Sequence, residues 1–294
     1  MSYAMPVNLT KKLIEITIEF SEGGEKKTFS GLHIQAHIEV FSGVSQSRAT
    51  CRIYGMSDHD MNRLTVTGAI NPTNRLNKIM IAAGDKGGVM RVVYQGSIGV
   101  AFINANMQPS RCFEIQSFTA LDVQLTPVKA SSFKGSVAVA DILQKLADEA
   151  KLKFENKGIT AKPLDNAYFA GDAISKIKAC AKSTGIGHHI NDGALVVWTL
   201  GQEQKSGVEV NSDLGNEPLL IGSPSCSGAF VTFRTQFFTG FALTEELVLK
   251  SKYNKPASGR WKPVKITHNL ECISPRGGSD WSTTVDAMRG LKNL

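Results

Sequence analysis

The sequence contains no Cys-x-x-Cys pair, and its five cysteines (Cys51, Cys112, Cys180, Cys226 and Cys272) are odd in number and far apart. That excludes the usual zinc spacings and a paired disulfide framework. Four of them fall in apolar strand or helix contexts and Cys226 in a loop. All five are expected as small reduced core residues, as in a protein made in a reducing cytoplasm. No apolar run reaches the ~18 residues of a membrane span. Met1 to Pro6 shows no basic segment followed by an apolar one, so neither a leader nor membrane insertion is expected. No block of Lys and Arg exceeds two residues (Lys11-Lys12, Lys26-Lys27). The formal net charge of +7 therefore reads as a scattered, solvated basic surface. Any share of it facing DNA would touch only the phosphate backbone.

Catalytic signatures are missing too. There is no Gly-x-Ser-x-Gly, His-Glu-x-x-His or phosphate loop. The stretch Gly84-Asp85-Lys86-Gly87-Gly88 is glycine-rich, but it links two strand patterns, whereas a phosphate cradle opens a helix. Glu245 and Glu246 are neighbours on a strand pattern and point to opposite faces, which fails the two-carboxylate geometry of a glycosidase. No enzyme, cofactor or metal is expected.

What is present is alternation. Hydrophobic residues make up 42% and charged residues 20% of 294 positions, enough for real cores in about two or three domains of ~100–200 residues each. Ile14, Ile16, Ile18 and Phe20 alternate with polar residues, as do Leu32, Ile34, Ala36, Ile38 and Val40, the mark of antiparallel strands with one wet face. Ser47 to Tyr54 reads as a third strand, and Ser57 to Leu64 as a short helix with a capping serine. Ile79 to Ala83, Met90 to Tyr94, Gln95 to Phe102 and Arg111 to Leu121 supply further strands, enough for a small barrel or sandwich. Ser136 is expected to cap a helix carrying Val139, Ile142, Leu143 and Leu146, and Asp172 a second one ending at Thr184-Gly185. Lys153-Phe154-Glu155 is a short strand candidate, and His188 to Trp198 is a hairpin with an Asp-Gly turn. Gly201 to Gly207 is polar and reads as a linker, after which Leu219 to Gly222, Phe230 to Thr235 and Phe241 to Lys250 are strands again. The layout is a mainly β fold with an α/β insert: a first β-barrel domain over 1–125, an α/β module over 126–205 and a second β domain over 206–294.

The second β domain closes on a ribbon. Val264, Ile266, His268, Leu270 and Cys272 share one strand face, with Lys262 at its wet end and Lys265, Thr267 and Asn269 opposite. A turn over 274–280 leads to Trp281, Thr283 and Val285, which alternate again. The run from Trp261 through His268 and Leu270, the Gly-Gly turn and Trp281 to Val285 resemble the C-terminal hairpin of baseplate hub proteins of contractile-tailed bacteriophages. Among these the Mu-like and related myophage tail hub, or late control, proteins are the most similar. Thr239 to Ser251 looks like the preceding strand of that family. Ile53-Tyr54-Gly55 with Met61 and Leu64 looks like its first domain. The resemblance implies two tail-tube-like barrels per chain. Three chains would then form a homotrimeric ring that adapts a sixfold tail tube to a threefold central spike and lets DNA pass through its lumen. Implied partners are the tail tube or a distal tube protein, the spike, other baseplate proteins and the tape measure protein, in the tail baseplate of a virion. Closed rings follow from heterologous interfaces when the rotation closes. Gly55, Met61, Leu64, Trp261, His268, Leu270, Trp281 and Val285 are the structural or interface candidates. The alternatives are the hub of a tailocin or type VI-like particle, a tail-associated cell-wall hydrolase, or a carbohydrate-binding module.

Several residues are of types that could carry chemistry. His268 lies on an apolar strand face without a His, Asp or Glu at ligand spacing, so a packed, satisfied histidine is expected. His188 and His189 are adjacent on a strand and cannot readily chelate one ion. His33 and His37 are two strand repeats apart, and with Glu39 they form a polar sheet surface. Asp58 and Asp60 complement a helix N-terminus. Trp198, Trp261 and Trp281 could form a sugar platform, but core or interface packing is the expected fate.

Overall fold

The chain opens on β1 (Lys12–Glu19) and β2 (Lys26–Phe29), followed by β3 (His33–Phe41) and β4 (Arg48–Tyr54). Helix α1 (Asp58–Leu64) starts at Ser57, whose hydroxyl accepts from the Asp60 amide, as the sequence anticipated. Then come β5 (Lys78–Asp85), β6 (Arg91–Asn104), β7 (Cys112–Phe118) and the short α2 (Leu121–Leu125). In this computed structural model the described residues are 11–43, 45–65, 76–106, 111–191, 193–201, 204–213, 217–275, 277 and 280–289. The start over 1–6, where no leader is expected, and positions 276, 278 and 279 of the ribbon's turn lie outside them.

The middle of the chain contains the small pairs β8 (Ser131–Ser132) and β9 (Ser136–Val137), then α3 (Val139–Glu149), β10 (Lys153–Asn156), β11 (Leu164–Asp165), β12 (Tyr168–Phe169), α4 (Ala173–Thr184), β13 (Ile186–Asn191) and β14 (Ala194–Thr199). Asp172 caps α4 by accepting from the Ser175 amide, and Gly185 ends it in the left-handed conformation. Ser136 does not cap α3. It pairs with Asp165 as part of a two-residue strand, and the helix begins after Ala138, whose side chain makes no cap bond. Val139, Ile142, Leu143, Leu146, Ile177, Cys180, Leu195 and Val197 make a core of their own between the two helices and the β10-β14-β13 sheet.

The last third contributes β15 (Gln204–Val210), β16 (Leu220–Ser227), β17 (Phe230–Gln236), β18 (Glu245–Leu249), β19 (Gly259–Cys272) and β20 (Trp281–Met288). The expected linker over 201–207 instead enters β15, which runs parallel to β18. Cys226, expected in a loop, lies in β16 opposite Val231. The two strands expected over 90–102 are one, β6, with a register shift between Ile98 and Val100.

A mainly β fold with an α/β insert is what the chain adopts. Its large sheet runs in the order β16-β17-β20-β19-β3-β4-β7-β6-β5-β1-β2, with β18 pairing both β19 and β15. Strands from the two ends of the chain are thus neighbours at β19 and β3. Two cores line this sheet. Ile14, Ile38, Ile53, Met61, Phe113 and Leu270 belong to one, and Phe233, Leu247, Leu249, Trp261, Val285 and Ala287 to the other.

Candidate functional site at the sheet seam

The seam is the antiparallel ladder of β3 and β19, from Phe41 opposite Lys265 to Ile34 opposite Cys272. A one-residue slip would turn every side chain over, so the buried pattern fixes the register. On the apolar face Ile34, Ala36, Ile38 and Val40 stand opposite Cys272, Leu270, His268 and Ile266. A bulge between Pro263 and Lys265, where β19 meets β20, shifts the phase by one residue. Trp261 and Pro263 therefore share the face of Ile266, and Val264 sits at the bulge. Lys262 is correspondingly not at a wet end of that face. It is buried, with its ammonium 3.8 Å from a Glu246 carboxylate oxygen.

Most of the sequence candidates are packing residues. Trp261 is fully buried and its Nε1 donates to the Ala257 carbonyl at 2.7 Å. His268 Nδ1 lies 2.9 Å from Thr283 Oγ1 and its ring meets Phe237 edge-on at 5.4 Å. Thr283 Oγ1 also accepts from the Phe238 amide at 3.1 Å. Burial lowers the His268 pKa to about 4, so the ring is neutral at pH 7. Leu270 and Val285 are buried, whereas Trp281 is half-buried, resting edge-on against Phe237 at 5.3 Å. Met61 and Leu64 fill the first core, and Gly55 turns the chain with φ of +81°. These residues do not converge on one site: Met61, Leu64, Leu270 and Trp281 pack in or on the first core, and Trp261 and Val285 in the second.

The opposite face of the seam is a polar ladder. His33 and Gln35 both bond Glu271, at 2.8 and 3.1 Å, and His37 bonds Asn269 at 2.6 Å. Glu39 pairs with Arg48 and with Lys265, the latter at 2.6 Å. Burial works against ionisation of Glu39, but the hydrogen bonds from Arg48 and Lys265 prevail and hold its pKa down to about 2. Further out, Arg52 meets Glu114 at 3.0 Å and Arg234 meets Asp280 at 2.7 Å. Charges on this face are matched across strands rather than massed in one sign.

Trp198, for which core or interface packing was expected, sits at the seam. It is buried and packs with Ile266 and Leu243, with Val40 and Phe241 against the same cluster. The α/β hairpin thus touches the seam where β3 and β19 meet. Trp198, Trp261 and Trp281 lie in three separate packing environments, so they form no shared platform. Glu245 and Glu246 fall at the start of β18, and 84–88 joins β5 to β6. Among the described residues no three His, Cys, Asp or Glu side chains are grouped to hold a metal ion, and no helix is long and apolar enough to cross a membrane.

This arrangement is the fold of phage tail proteins. The chain is similar to the 43 kDa tail protein of prophage MuSo2 from Shewanella oneidensis (TM-score 0.64, 10% identity, 96% of this chain and 97% of that one). It is equally similar to a tail protein from Neisseria meningitidis MC58 (TM-score 0.65, 10% identity, 94% and 96%). A third similar structure is the E. coli c3393 protein, a type VI secretion component with structural similarity to the T4 tail proteins gp27 and gp5 (TM-score 0.60, 8% identity, 87% and 73%). No curated protein sequence matches the chain. The model of the baseplate hub gp41 family matches residues 13–274, and the chain belongs to that family. Its role is structural, in the tail baseplate of a virion.

Proposed function

We propose that the protein is the hub of a contractile tail, a homotrimer whose three chains each contribute two tube-like β units. The units correspond to segments 1–125 and 206–294, with the α/β module over 126–205 between them. Six such units would form a ring that meets a sixfold tail tube or distal tube protein on one side and a threefold spike on the other. DNA would cross its lumen without specific contacts. The observation that carries this reading is the seam: β3 and β19 join the two ends of one chain edge to edge. The same mode of joining, repeated between chains, satisfies exposed strand edges around a ring. The polar ladder supports passive conduction, because Arg48 and Lys265 share Glu39 and Arg52 pairs with Glu114, so that little positive charge is left unmatched. No catalytic step is assigned. Gly55, Met61, Leu64, Trp261, His268, Leu270, Trp281 and Val285 would maintain the shape of the ring rather than touch a substrate.

The likeness to c3393 and to the Francisella PdpA-VgrG complex (TM-score 0.54, 10% identity, 97% of this chain and 59% of that one) favours a second reading, a hub in a related injection particle. Light scattering on purified protein, alone and with its spike, tests both. A mass of three chains in either sample supports the hub. A strict monomer in both, or release of sugar from peptidoglycan, refutes it.

A further inference from the structure

Buried polar atoms in folded proteins are almost always hydrogen-bonded, and each exception calls for a physical reason. Among the described residues the exceptions are Gln46 Nε2, both ring nitrogens of His188, His189 Nδ1 and Trp198 Nε1. All five lie where the α/β module meets the large sheet. His188 and Gln46 line a cavity of about 20 Å³ together with Gly43, Ser47, Ile177 and Lys178. Trp198 lies against the seam beside Ile266 and Leu243, and His189 packs edge-on to Trp198 at 5.9 Å. The Gly43 amide donates to the His188 carbonyl at 2.7 Å, tying the module to the β3–β4 loop.

The module has its own core, so it does not depend on this contact for its interior. On another flank, a cleft of about 1000 Å³ separates Glu19, Lys26 and Gln95 of the sheet from Lys151 and Gly193 of the module. That flank of the module faces an open cleft, and at the seat itself the apolar contact of Trp198 with Ile266 and Leu243 is accompanied by buried polar atoms without a protein partner.

We infer that the α/β module is an acid-released element: protonation of His188 undocks it from the seam while the large sheet stays folded.

The charges around the joint set the direction. Among the described residues Lys178 on α4 is the only charged group lining the cavity with His188, and no carboxylate lines it. Across the sheet from His189, Glu155 is engaged by Lys153 at 2.8 Å. A proton on His188 would thus be buried beside a cation, and opening the joint relieves this. Burial, with Lys178 adding to it, lowers the His188 pKa from 6.5 to about 4. The folded pKa lies below the open-state value, so docking is full above pH 6.5 and weakens as pH falls toward 4. Between pH 7.5 and pH 5 these two values reduce the docking constant roughly 30-fold.

Hydroxyl-radical labelling of the full chain, read by mass spectrometry at each tryptophan, tests this. At pH 5 Trp198 should label several-fold faster than at pH 7.5, with Trp261 unchanged. His188→Asn, which cannot take up the proton, should diminish the rise. Because burial lowers the pKa of the neighbouring His189 to about 4 as well, His188→Asn combined with His189→Asn should abolish it. Gln46→Glu, which places a carboxylate in the cavity with His188, should move it to lower pH. The inference is overturned if Trp198 and Trp261 become labelled together, if Trp198 stays protected down to pH 4, or if the rise is undiminished in His188→Asn.

Discussion

Trp261→Ala is the sharpest probe of the ribbon. The side chain is fully buried between Leu247, Leu249, Val285 and Ala287. Burying an aromatic side chain removes about 150–250 Å² from water, which at ~25 cal/mol per Å² is about 4–6 kcal/mol as an upper bound. Truncating a buried tryptophan costs about 3–5 kcal/mol in practice, and the lost bond from Nε1 to the Ala257 carbonyl at 2.7 Å places this site toward the top of that range. Trp281 supplies the comparison. It is half-buried, with Phe237 on one side and the Lys12 ammonium 6.0 Å from its ring centroid, so Trp281→Ala should cost about half as much, roughly 1–3 kcal/mol. Urea unfolding followed by far-UV circular dichroism reads both through the midpoint at constant slope. Equal costs, or a Trp261→Ala protein within about 1 kcal/mol of wild type, would show that the second core does not rest on this residue.

Other perturbations have equally definite outcomes. The folded pKa of His268 is depressed to about 4. Its contribution is therefore complete above the ordinary 6.5 and lost as pH falls from 6.5 to 4, a swing of about 3 kcal/mol. Replacing His268 with Gln should flatten the stability profile in that window, as equilibrium unfolding at stepped pH would show. Glu39 has the opposite character: with its pKa lowered to about 2, its contribution is present above 4.5 and lost as pH falls from there toward 2. Glu39→Gln should cost about 1–3 kcal/mol at pH 7, measurable by urea titration. A Cβ at Gly187 would stand 2.4 Å from Trp198 Cε2. Gly187→Ala should therefore shift Trp198 and destabilise by about 1–3 kcal/mol, seen as a lower melting temperature and a red-shifted tryptophan emission.

The sequence revealed elements more readily than their neighbours. Ile14, Ile16 and Ile18 mark β1 because period-two burial leaves a trace in the residues themselves, and Asp172 with Gly185 brackets α4 because caps need particular chemistry. The polar segment entering β15 looked like a linker, since its pairing to β18 uses backbone groups that leave no trace in side-chain type. Ser136 has the right chemistry for a cap and yet pairs as a strand residue, because its ladder partner Asp165 lies 29 positions away. The phase slip at the β19 bulge moved Lys262 off the expected face. The seam was out of reach for the same reason: alternation says which face of β3 and β19 is buried but not that the two strands adjoin. Trp198 could be recognised as a hairpin residue, and only the assembled sheet reveals that it packs at the seam.

In the proposed ring two β units per chain, from three chains per particle, surround the tail axis. Electron cryomicroscopy of the intact tail, with the density for this chain located in the baseplate, tests it most directly. Three copies on the axis between tube and spike, with the polar ladder toward the lumen, are the predicted result. Copies away from the axis, or any number other than three, would contradict it.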